Sequence, residues 1–125
     1  MAYSYDLEER TLKFSREIIS FCKNLKTGLV SAPLINQLIR SATSIGANYT
    51  EANGASSRND FRNKIYICKK ESQETKYWLR LLADISDEQQ KITLRKLWQE
   101  AQELTLIFGK TIKTLKVKNW IEIQN

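Results

Sequence analysis

Five basic residues, Arg58, Arg62, Lys69, Lys76 and Arg80, follow one another at intervals of 4, 7, 7 and 4. At about 100° per residue, that spacing puts all five on one narrow stripe of a helix. Asp60, Glu71 and Glu74 fall roughly opposite, and Tyr66, Gln73 and Tyr77 flank the stripe. Cations interleaved with tyrosine and amide groups suit a phosphate backbone and unstacked bases. The competing reading is a solvated face whose charges pair with acids such as Glu8, Glu9 or Glu17 on the first helix, or with acids on another copy. A second basic group, Lys110, Lys113, Lys116 and Lys118, has no acid between its members. Complementing a helix dipole near a C-terminus would account for it equally well. It strengthens the nucleic-acid reading only if it faces the same groove as the stripe.

Other chemistries have little to work with. Histidine is absent, which removes the commonest general base and the commonest metal ligand. A Ser or Cys nucleophile would lack its usual partner. Glu71 and Glu74 stand one turn apart, as carboxylate metal sites require, but no ligand motif accompanies them. Cys22 and Cys68 show none of the short spacings of zinc or redox sites, and no glycine-rich phosphate loop is present. We therefore expect no catalytic residues, no cofactor and no metal. Twenty Lys and Arg against 14 Asp and Glu leave a net charge of +6, a balance that favours anionic partners.

The elements that must hold these residues are helices. Only four glycines and one proline punctuate 125 residues, too few for the turns of a β-sandwich or barrel. Leu7, Thr11, Phe14, Ile18, Phe21 and Leu25 make the apolar seam of a first helix from about Asp6, its acidic start and Lys23 and Lys26 matching the helix dipole. Ser31 is a plausible N-cap for a second, with Pro33 in its first turn. That helix carries two uncharged stripes: Leu34, Leu38, Ser41, Ile45, Tyr49 and Ala52, and beside them Ile35, Ile39, Ala42, Gly46 and Asn53. The small run from Ser41 to Ala47, with Gly46 in mid-helix, implies a close neighbour. Ser57 and Asp60 form a capping pair for a third helix with the seam Phe61, Ile65, Cys68, Ser72, Thr75, Leu79 and Leu82. A fourth starts near Asp87 and packs Leu94, Leu97, Ala101, Leu104, Phe108, Ile112 and Leu115.

Short connections imply an all-α, antiparallel up-down-up-down four-helix bundle over residues 1–118, followed by a tail at 119–125 that could be a short strand, a docked arm or disordered. Apolar residues beyond one stripe per helix point to burial between copies, with Ile35, Ile39, Gly46, Ile67 and Trp78 as the expected oligomer interface. No segment reads as a secretory signal or membrane span, so a cytoplasmic protein with no membrane partner is expected.

Three blocks carry a resemblance: Tyr5-Asp-Leu-Glu-Glu-Arg-Thr11, Gln37 through Ala52, and Asp60 through Leu79 with its Glu-Thr-Lys-Tyr-Trp-Leu end. They resemble, over roughly residues 3 to 116, the four-helix proteins encoded in intervening sequences of bacterial 23S rRNA genes. The resemblance implies a left-turning antiparallel protomer in a ring-shaped homopentamer with a basic surface. That family is also similar to the accessory protein of diversity-generating retroelements, which binds nucleic acid and a reverse transcriptase. The expectation is thus a non-enzymatic, oligomeric accessory protein for structured RNA or DNA, using Arg58, Arg62, Lys69, Lys76, Arg80, Lys110, Lys113 and Lys116. The alternative is a protein–protein scaffold whose basic face serves subunit or partner contacts.

Overall fold

Local capping chemistry marks where the third and fourth helices begin. The computed structural model describes the backbone of residues 2–124 and the side chains of residues 7–116. Its elements are α1 (Ala2–Lys23), α2 (Ser31–Asn53), α3 (Arg58–Asp84) and α4 (Glu88–Gln124), and no strand occurs among the described residues. The extended Ser57 accepts the Asp60 N–H at 3.0 Å, the expected cap of α3. At the start of α4 the capping is reciprocal: Asp87 Oδ1 accepts the Gln90 N–H at 2.8 Å, and Gln90 Oε1 accepts the Asp87 N–H at 3.2 Å.

Two helix starts differ from expectation. α1 starts at Ala2, so the acids at 6, 8 and 9 lie beyond its first turn and do not cap its dipole. Ser31 is the first residue of α2 and not its cap; Val30 precedes it without a capping bond, and Ser31 Oγ instead accepts the Gly28 N–H at 2.8 Å. The hydroxyl fastens the loop and leaves the helix end alone.

The expected seams all face inward. Phe14, Ile18, Leu38, Ile45, Ile65, Leu79, Leu82, Leu94, Leu104 and Phe108 form one buried core. Small polar residues inside it bond to their own helices, as Thr11 does to Leu7 O at 2.9 Å and Ser72 to Cys68 O at 2.8 Å. Between α2 and α3, Thr75 Oγ1 and Ser41 Oγ share a hydrogen bond at 2.9 Å, and the Cys68 thiol donates to Ile45 O at 3.5 Å.

α2 packs against both α1 and α3, α3 against α2 and α4, and α1 touches α4 least. This position explains the two uncharged stripes of α2: one meets α3, the other α1. Ile35, expected at an oligomer interface, is a core residue of the protomer at 5% exposure. Gly46 likewise meets α1 in the same protomer, where a Cβ would stand 3.2 Å from Thr11 Oγ1. α4 continues through 119–124, where a strand or separate arm had been one expectation; Trp120, Ile121 and Ile123 have side chains outside the described residues.

Candidate nucleic-acid interface

Three basic residues, Lys69 and Lys76 of α3 and Lys116 of α4, lie along one groove between the two helices. Lys76 reaches across from α3 to α4, donating to Gln102 Oε1 at 2.6 Å while its Nζ lies 5.5 Å from the centre of the Trp98 ring. Further along, the Lys69 stem runs beside Gly109, where a Cβ would sit 3.9 Å from Lys69 Cε. Lys116 Nζ lies 5.9 Å from the centre of the Tyr66 ring. Lys69 and Lys76 of α3 and Lys116 of α4 thus lie along the same side of the protein. Lys110, Lys113, Lys116 and Arg80 are exposed; Arg62, Lys69 and Lys76 are half-buried, with apolar stems packed and charged ends outward in the manner of amphipathic side chains. Arg58 is half-buried and already holds a partner, so it is the stripe member least available to a ligand.

The helix-end explanation of the second cluster does not survive. α4 extends to Gln124, which leaves Lys110, Lys113 and Lys116 well inside the helix and no basic residue in its last turn. They gain nothing from the dipole there, because its effect is confined to the terminal turn.

The acids have been drawn to the other flanks. Between Arg62 and Arg80, α3 holds two carboxylates, Glu71 and Glu74, and both bind Arg40 of α2. The Glu71 contact is 3.1 Å, and that side chain is only 7% exposed. Between residues 91 and 116, α4 also holds two, Glu100 and Glu103, and both bind Arg10 of α1 at 2.7 and 3.2 Å. The Glu100 fork is bidentate, accepting Arg10 Nε and Nη2 at 2.7 Å each. The hydrogen bond to Glu100 holds Arg10 above its ordinary pKa, and the bond to Glu74 does the same for Arg40. Lys64, on the α2 side of α3, pairs with Glu51 at 2.8 Å. Among the described residues, Arg62, Lys69, Arg80, Arg95, Lys110 and Lys113 make no ion pair, and Glu8, Glu9 and Glu17 do not pair with the stripe.

Sequence reading missed the α4 wall of this groove. Arg95, Trp98, Gln99 and Gln102 lie along the α3-facing edge of the α4 seam. Their signal is a helical spacing, with Trp98 and Gln99 3 and 4 residues after Arg95 and Gln102 a further 4 and 3 on. One arginine beside a tryptophan and two glutamines makes no charge run, so the sequence alone does not set this edge apart from the apolar seam.

Of the remaining expected interface residues, Ile39 and Trp78 are half-buried and pack against their own core. Ile67 is half-buried on the flank of α3 turned from the groove. Trp78 meets Tyr77 edge-on at 5.1 Å, and its buried Nε1 has no hydrogen-bond partner among the described residues. The apolar side chains left in the open are others, Leu12 and Ile19 at 43% and 41% exposure among them. Among the described residues no helix is long and apolar enough to cross a membrane, and no group of His, Cys, Asp and Glu is placed to hold a metal ion.

Comparison with known proteins agrees with this architecture. A crystal structure of a protein of unknown function from the S23 ribosomal protein family of Bacteroides thetaiotaomicron VPI-5482 superposes with a TM-score of 0.74. It is 34% identical, and the match covers 86% of this chain and 98% of that one. No curated protein matches the sequence. The 23S rRNA-intervening sequence protein family matches residues 4–108, most of the chain, and this protein belongs to that family.

Proposed function

We propose that this protein is a non-enzymatic, cytoplasmic nucleic-acid-binding protein that holds phosphates, those of structured RNA foremost, along the groove between α3 and α4. The observation that supports it is the sorting of charge. Between Arg62 and Arg80 of α3, and between residues 91 and 116 of α4, there are two acids each, and in each case a single arginine on a neighbouring helix takes both, leaving the α3–α4 side there with cations and aromatic rings. A solvated face made only for solubility has no reason to exclude its own acids. The helices run up-down-up-down in this reading: Glu8 bonds Asn53 while Thr11 meets Gly46, Arg40 meets Glu74 while Glu51 meets Lys64, and Lys76 meets Gln102 while Lys69 meets Gly109. In each pair one number rises as the other falls.

Binding to a labelled RNA hairpin, measured by anisotropy over a salt series, tests the proposal. Each lost phosphate contact should flatten the slope of log affinity against log salt by roughly 0.7–0.9. Arg62→Glu with Lys69→Glu should therefore weaken binding and flatten the slope, with the sedimentation of the protein unchanged. Undiminished RNA affinity in that variant would remove the stripe from the interface. Absence of binding by the wild type at low salt would end the nucleic-acid reading.

A further inference from the structure

One end of the α3–α4 groove widens into a cleft of about 360 Å³. Leu79 and Leu94, both buried, lie at its base, and Ala83 and Trp98 are half-buried beside them. Arg80 and Arg95, one from each helix, stand exposed at its edge with Gln99. Neither arginine has an ion pair among the described residues; Asp84, one turn beyond Arg80, is exposed and does not bind it.

This cleft differs in kind from the others. The α1–α2 cleft, of about 410 Å³, is lined by Glu8 and Glu9, and another near the α3–α4 turn includes Asp87. Those carboxylates would repel a phosphate. The α3–α4 cleft alone of these combines an aromatic ring, an aliphatic base and two cations without an acid. Its volume sits at the low end of small-ligand sites, roughly 300–1,000 Å³, which suits a single planar ring system. An acyl chain or apolar peptide would leave both arginines without a purpose, and a free phosphate would leave the apolar base unused. A nucleotide within a strand uses both, because its base has an apolar face and is bracketed by phosphates.

We propose that the cleft takes one unstacked base of single-stranded RNA, with Arg80 and Arg95 on the flanking phosphates. The inference rests on the nucleic-acid reading of the groove and adds a selectivity to it. A duplex keeps its bases stacked and offers only phosphate and sugar to the groove, so it forgoes the cleft; loops, bulges and ends do not. The cleft lies at the same end of the groove as Lys76, from which the basic path runs on through Lys69 and Lys116.

The test compares oligouridylate, an abasic ribose-phosphate strand of equal length and charge, and an RNA duplex, each titrated against wild-type protein and Ala83→Met. Oligouridylate should bind the wild type about fivefold or more tightly than the abasic strand, since stacking one base on an aromatic side chain is worth at least that factor. Ala83→Met places a longer side chain in the cleft and should erase that advantage, while affinity for the abasic strand and the duplex stays at the wild-type value. Equal binding of oligouridylate and the abasic strand by the wild type would overturn the cleft proposal and leave the groove reading standing. An undiminished uridylate advantage in Ala83→Met would overturn it too. If neither strand nor duplex binds, both readings fall. The wild-type comparison needs no variant, so it decides the matter even if Ala83→Met does not fold.

Discussion

Gly46 and Gly109 are both glycines inside long helices, yet their surroundings assign them opposite roles. A Cβ on Gly46 would come within 3.2 and 3.3 Å of Thr11 Oγ1 and Cβ, and Thr11 is held at 1% exposure by bonds to the carbonyls of Leu7 and Glu8. A Cβ on Gly109 would find only the flexible end of Lys69 at 3.9 Å. Replacing a helical glycine by alanine gains up to about 1 kcal/mol where there is room. Gly109→Ala should therefore raise stability by about 0.5–1 kcal/mol. Gly46→Ala should lower it, and Gly46→Leu should cost ~1–3 kcal/mol or more through overpacking. Urea denaturation of the three variants checks this; a Gly46→Leu protein as stable as the wild type would show that α1 and α2 are not held at this spacing. The cysteines make a second test at this scale. Burial pushes the Cys22 thiol up to about 11 and that of Cys68 to about 12. An unfolded thiol titrates near 8.5, so the folded state keeps protons that the unfolded chain has already released. Their contribution is full below about pH 8.5 and is lost as pH rises toward 11 and 12. Stability should thus decline between about pH 8.5 and 10.5 more steeply in the wild type than in a Cys22→Ala, Cys68→Ala protein. Alkylation near pH 8 should be slow until urea is added.

At the scale of the element, α3 was almost wholly legible in the sequence, because its cap, seam and cation stripe are all local. Ser57 and Asp60 sit three residues apart, and the stripe repeats within one helix. What no helix announces is where its unlike neighbours send their side chains. In the sequence Arg40 is the lone charge between residues 27 and 50, while Glu71 and Glu74 stand one turn apart on the face opposite the basic stripe. Only packing of α2 on α3 makes them one cluster. The helix ends failed for a similar reason. Acids near residue 6 suggested a start, and a lysine run suggested an end, but the dipole contributes less than a kilocalorie or so at an exposed end and is outweighed by continued helical bonding. Glu71 gives the cluster its test. Arg40→Met would strand a carboxylate that is 7% exposed, and the cost should be about 1–3 kcal/mol, toward the lower figure because Arg40 itself is 49% exposed to water. Arg40→Met together with Glu71→Gln should recover most of the loss, as thermal denaturation would show; additive losses would mean the pair is incidental.

For the whole molecule, the surplus of apolar residues was legible and its destination was not. A count of stripes cannot distinguish a helix wedged between two neighbours from one that faces another copy, and α2 is the former. Assembly remains part of our reading, but its support shifts to the exposed Leu12 and Ile19 of α1. Light scattering at micromolar concentration should report a multiple of 14.6 kDa, five by the family resemblance, and Leu12→Glu with Ile19→Glu should lower it. A monomeric wild type would refute this. The two arginine clamps, Arg10 and Arg40, carry a further consequence for approach to a partner. By gathering four carboxylates toward the flanks of α1 and α2, they give the protein a lopsided field. Such a field acts before any contact forms. A polyanion drifting within about a Debye length, roughly 8–10 Å in ordinary salt, would turn the protein so that the α3–α4 side arrives first. Two residues that never touch the ligand would then govern how fast, and facing which way, the encounter begins.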